Sequence, residues 1–252
     1  MNRFFHLLIA TSVLVSVLGG PALAVPIQES DILHKTIFFD KTYGSTSGGQ
    51  FDVTLNNNST DYLFSTFCLE RNECMNLTKG FKVAGINDFA IKSVSSPRGL
   101  SFEHDPLSEE TKWLYWHFAT GKLDEVIGNN PSNPYKKYSG STFSFSYKNK
   151  KSSNALQNAI WSLEDELNTK NKWARALIWD AEQALGGGSF TEGIVKAINL
   201  EWTTNRYDRF GNLDIYAQDQ LVAIAPAAEP ATLVLLGSGM AGSLFLYRKK
   251  NR

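Results

Sequence analysis

Two cysteines and four histidines leave little material for metal chemistry, and none of them shows zinc-binding spacing. The chain also lacks a phosphate-binding glycine loop, a dinucleotide fingerprint and an internal repeat. Neither charge is in excess, with 25 basic and 25 acidic residues, and no basic stripe is interleaved with aromatics. That argues against electrostatic binding to nucleic acid. Beyond position 24 the histidines are His34, His104 and His117. None sits in a nucleophile motif, which argues against a secreted Cys/His hydrolase. His104 stands between Glu103 and Asp105, a cluster that reads as a solvated loop before Pro106 rather than a metal site. Glu164, Asp165 and Glu166 are consecutive on an expected helix, so they diverge. They read as a hydrated face and not as the paired carboxylates of a glycosidase. No cofactor, metal or enzymatic turnover is expected.

What is present begins at the two ends. Residues 1–24 have the form of a secretory signal peptide. Arg3 supplies the positive start, 7–18 the apolar stretch, Pro21 the break, and Ala22 and Ala24 the small-residue cleavage site. At the other end, 231–247 is an uncharged, mostly apolar run of 17 residues. Roughly 17–25 helical residues are needed to span a bilayer core. Arg248, Lys249, Lys250 and Arg252 follow, and basic residues stay cytoplasmic, so the C-terminus is expected inside and the body outside. With both ends set aside, 25–228 carries 20 basic and 24 acidic residues, a mildly acidic body.

The tail 226–252 resembles the PEP-CTERM sorting signal of Gram-negative bacteria that make exopolysaccharide. Glu229, Pro230, Ala231 and Thr232 carry the likeness, while Ala228 stands where the family has its first Pro. The resemblance implies a membrane-anchored precursor processed by an exosortase. It also implies localisation at the cell surface or in the extracellular matrix, with exopolysaccharide as a partner.

The body, 25–225, has the length of one domain. Strand-like text covers 32–39, 51–55, 62–69 and 81–94, separated by Gly/Ser-rich and Asn-rich turns. Ser108 is expected to cap a helix running to about 120, closed by Gly121. A loop at 129–134 and a short strand at 142–147 follow. Asn154 is expected to cap a second helix to about 167, with Leu156, Ile160, Leu163 and Leu167 on one stripe. A third helix, 172–185, ends at Gly186, and strands return at 194–202 and 220–224. The expected class is α+β, with strands at both ends, helices between, and a C-terminal transmembrane helix at 231–247.

Two segments carry possible chemistry: Phe64-Ser-Thr-Phe-Cys-Leu-Glu70 and Ala155-Leu-Gln-Asn-Ala-Ile-Trp161. Together they resemble the Cys–Gln thioester domains of bacterial surface proteins. That resemblance implies an internal thioester between Cys68 and Gln157, formed with loss of ammonia. A thiolate is a strong nucleophile, but an amide is a poor electrophile, so the fold must press the two together. The product survives only where water is kept out, and Phe64, Phe67 and Trp161 are the candidate walls. An amine or hydroxyl on a partner would then take the acyl group once, as in an adhesin. The alternative is a Cys68–Cys74 disulfide, six residues apart in an oxidising compartment. It would leave a non-covalent structural component of an exopolysaccharide or biofilm matrix.

Overall fold

The structure, a computed structural model, describes residues 26–226 apart from 46–47, 58–60, 72–74, 76, 97–98, 128–131, 136, 139–140, 143 and 208–209. The signal segment, the sorting tail with its expected transmembrane helix, and Cys74 lie outside the described residues. No helix among the described residues is long and apolar enough to cross a membrane.

Among the described residues, ten strands and four α-helices make an α+β fold, with strands flanking a helical middle. After a 3₁₀ turn at Glu29–Asp31 come β1 (Thr36–Ser45), β2 (Gly48–Thr54), β3 (Tyr62–Thr66), β4 (Phe81–Asn87), β5 (Phe89–Ser96) and β6 (Gly99–Pro106). The helical part holds α1 (Glu109–Ala119), α2 (Leu123–Val126), α3 (Lys150–Leu163) and α4 (Lys172–Leu185), with the two-residue strands β7 (Lys137–Tyr138) and β8 (Ser141–Thr142) between α2 and α3. Two long strands, β9 (Ile194–Tyr207) and β10 (Leu213–Ile224), close the domain.

Six strands form one antiparallel sheet in the order β10-β9-β4-β1-β2-β3. Period-two burial marks its inner face. Ile37 and Phe39 are buried while Thr36 and Asp40 are exposed, and Phe81 and Val83 are buried around exposed Lys82. The sheet curls until its two edges meet. Past the end of β3, Cys68 bridges Gln220 of β10. Leu221 N donates to Phe67 O at 3.2 Å and Leu69 N to Asp219 O at 3.0 Å. The Thr66 hydroxyl adds a buried bond to Leu221 O at 2.6 Å. This seam removes two sheet edges that would otherwise expose unpaired backbone groups.

Local rules explain the helices. Ser108 caps α1 by accepting from Thr111 N, with Glu109 and Glu110 in the first turn beside the positive end of the helix dipole. Asn171 caps α4, and Gly186 in the left-handed region (φ 56°) closes it. The second long helix begins a turn earlier than expected: Asn149, not Asn154, caps α3, accepting from Lys151 N and Ser152 N. Asn154 lies inside the helix, with its side chain committed elsewhere.

Other expectations also need correction. The 81–94 run is two strands broken at Asp88, and β6 follows where no strand was expected. His104 and Asp105 belong to β6, opposite Ile91 and Ala90, and the His104 ring stacks on Phe89 at 4.0 Å. Of the expected 142–147 strand only Thr142 is strand, as the end of β8, and 144–147 are not. The second helix ends at Leu163, and Asp165 turns the chain with a positive φ of 58°. Glu164 to Glu166 are therefore not a hydrated helical face. Glu164 is buried against Ser108, whose Oγ donates to it at 2.7 Å, and Glu166 pairs with Lys92.

Candidate functional site

The register of the sheet creates the site. Phe51 stands opposite Thr66, and Asp52 opposite Ser65. Continued by two residues, the same register would set Gly49 against Cys68. The ladder between the two strands ends before that point, at Phe51 and Thr66. Alternation then decides what Cys68 can do. The carbonyl of Phe67 and the N–H of Leu69 face β10 across the seam, so the N–H and C=O of Cys68 face the gap.

Gln157 fills that gap. Its carboxamide enters from α3, whose buried face also carries Leu156, Ile160 and Trp161. Cys68 N donates to Gln157 Oε1 at 3.1 Å, and Gln157 Nε2 donates to Cys68 O at 2.8 Å. Gly49 N donates to the same Oε1 at 3.3 Å. Two N–H donors and one carbonyl fix which way the amide faces. Cys68 and Gln157, 89 residues apart in sequence, thus lie against each other at 2% and 1% exposure, out of bulk water.

Three α3 residues on one helical face hold the end of the β1–β2 hairpin. Asn154 Oδ1 accepts from Ser45 N at 2.8 Å, Gln157 accepts from Gly49, and Trp161 covers Gly48. A Cβ on Gly48 would stand 2.4 Å from the Trp161 ring and 3.0 Å from Gln157 Cγ, so only glycine fits under the indole. On Gly49 (φ +128°) a Cβ would meet Tyr43 O at 2.4 Å. From the inner side, Tyr115 braces β3 by donating to Ser65 O at 2.8 Å, and burial holds its phenol well above the usual range, so it stays a donor.

The expected walls divide. Trp161 touches the site and is buried, and its indole Nε1 has no hydrogen-bond partner. Phe67 directly precedes Cys68 and packs edge-on against Phe118 at 5.0 Å. Phe64 is buried further back on β3, opposite Val53. Sequence reasoning missed Gly48, Gly49 and Asn154, whose importance depends on register and helix phase. The Gln218-Asp219-Gln220 run of β10 also borders the site. Asp219 N donates to the buried Glu70 carboxylate at 2.9 Å, tying β10 to the residues just after Cys68.

Elsewhere the chemistry is thin. Among the described residues no three His, Cys, Asp or Glu side chains gather as a metal site. His117 is buried, with Nδ1 against Trp113 O and Nε2 3.2 Å from Glu192. A cavity of about 370 Å³ between Tyr135 and the end of α3 and α4, lined by Arg175, Trp179 and Glu182, does not include the Cys68–Gln157 pair. Ala22, Ala24, Ala228, Glu229 and Pro230 lie outside the described residues. No family model, curated protein or solved structure matches the chain.

Proposed function

We propose that this is an exported surface or matrix protein that attaches once, covalently, to a partner amine or hydroxyl through a Cys68–Gln157 thioester. The observation that carries this reading is the carboxamide of Gln157 held against both backbone polar groups of Cys68 in a buried site. Such docking holds the carboxamide beside the residue that carries the nucleophile, which lowers the entropic cost of their meeting. In the first step the Cys68 sulfur bonds to Gln157 Cδ, the C–Nε2 bond breaks, and the thiol proton leaves with nitrogen as ammonia. In the second, a partner amine or hydroxyl bonds to the acyl carbon, and the sulfur leaves with a proton as a thiol. The acyl group is consumed, so the reaction has no turnover.

The signal-like 1–24 and the PEP-CTERM-like 226–252 support export across the inner membrane, a C-terminal membrane anchor at 231–247, and exosortase processing near Glu229-Pro230. Intact mass of the mature body tests the chemistry. Loss of one ammonia is expected, and methylamine should then modify Gln157 and release the Cys68 thiol. Folded protein with an unmodified Gln157 overturns the proposal. Loss of two hydrogens instead would identify the Cys68–Cys74 disulfide and a non-covalent matrix component.

A further inference from the structure

Gln157 Oε1 receives two backbone N–H groups from opposite sides of the parted strands, Cys68 at 3.1 Å and Gly49 at 3.3 Å. In either acyl-transfer step that oxygen gains negative charge as the carbon becomes tetrahedral. We propose that the Cys68 and Gly49 N–H groups form an oxyanion hole for Gln157 Oε1, making Gly49 a catalytic residue of the thioester chemistry. The inference rests on the thioester reading and adds to it the group that lowers the barrier.

Three features of the geometry carry it. First, the donors belong to backbone fixed by the sheet, so they need no reorganisation as charge develops. Second, the Gly49 bond is slack in the amide state. A contact that is long in the ground state and tightens on a charged oxygen favours the transition state over the substrate. Third, the Gly49 donor is held in place from both sides. The hairpin end is fastened to α3 by Asn154 on one side and slides under Trp161 at Gly48, where any side chain would collide. Gly48 and Asn154 are positioning residues in this scheme, because they act through Gly49.

The hole accounts for why an amide, normally inert to a thiol, would react here. The Cys68 sulfur bonds to Cδ, the carbonyl electron pair moves to Oε1 between the two N–H groups, and collapse expels Nε2 with the thiol proton as ammonia. Attack by an amine runs through a second tetrahedral state with the oxygen in the same place. The sulfur then leaves and takes a proton.

The test replaces Gly49 in the exported body with glycolic acid, which turns its N–H into an ester oxygen and leaves every side chain unchanged. Methylamine uptake at Gln157 is followed by mass. Loss of one oxyanion-hole donor slows acyl transfer by about 100-fold or more, and that slowing is the expected result, with unchanged circular dichroism. Asn154→Ala should slow the reaction less, while leaving Cys68 and Gln157 intact. A Gly49 ester that reacts at the wild-type rate overturns the oxyanion hole and leaves the thioester standing. A wild-type body that never loses ammonia overturns both. If the ester variant does not fold, the carbonyl stretch of the wild-type thioester decides. It should lie at lower frequency in folded than in unfolded protein, and an equal frequency overturns the hole.

Discussion

A carboxylate with no exposure is tolerated only when its oxygens are saturated, and Asp219 meets that condition. One oxygen accepts from Leu200 N at 3.0 Å, the other from Ile91 N and Asn199 Nδ2, both at 2.6 Å. One side chain thereby joins β5, β9 and β10 beneath the seam. Asp219→Ala would strand two backbone N–H groups at a cost of about 1–3 kcal/mol each. We expect a loss of roughly 3 kcal/mol or more, read as a lower urea midpoint. Gln157→Ala should also destabilise, by a similar route, since it removes the acceptor of the buried Cys68 N–H. The stability of these variants separates architecture from reactivity: Cys68→Ala keeps the Gln157 bonds to the backbone and should abolish attachment with the fold intact. At this scale Cys68 and Gln157 were legible because their flanking residues resemble a known pairing. Gly49 was not, because nothing in a Gly-Gly dipeptide reveals that its strand will part from its neighbour opposite Cys68. Asn154 was visible as a polar residue near a helix start but was given the wrong task, since Asn149 offers the same chemistry one turn earlier.

At the scale of elements, the cap assignment makes a direct prediction. Asn149→Ala should cost about 1 kcal/mol in thermal or urea unfolding, whereas Asn154→Ala should leave the helix start unaffected. A buried carboxyl group at the end of α3 and a half-buried one on β6 have raised values. Burial pushes the Glu164 carboxyl above its ordinary 4.5, partly offset by donors that include Ser108. Burial also raises Asp105, against the pull of Lys92. A raised folded value means that the folded state holds the proton more tightly than the unfolded chain does. Its contribution is therefore complete below the ordinary value and fades as pH climbs through the raised one. The thermal midpoint should accordingly decline as pH rises above 4.5, and Glu164→Gln should flatten that decline. Most elements were readable from period and punctuation: α1 and α4 begin and end where Ser108, Asn171 and Gly186 dictate. The failures share a cause. β6 and the acidic run after α3 are polar by composition and were assigned to solvent, yet pairing with β5 and contacts with Ser108 and Lys92 gave their polar groups partners.

The whole molecule is organised by closure. A six-stranded sheet with free edges would be prone to pair with other chains, and here the last strand returns to the first hairpin's neighbour to seal it. No pattern in the sequence announces that return, since contact between 66–69 and 219–221 depends on how far the sheet curls. Thr66→Val keeps the shape and removes only the hydroxyl bond to Leu221 O, leaving a buried carbonyl short of one donor. A loss of about 1 kcal/mol in urea unfolding is expected. The seam also sets the mechanics of the protein. Cys68 lies opposite Gln220, four residues from the end of β10. A pull applied at the C-terminal end of β10 would run along that strand and meet the seam. The bonds of Leu221 and Leu69 to the strand extension and the long β9–β10 ladder would be loaded in shear, sharing the force.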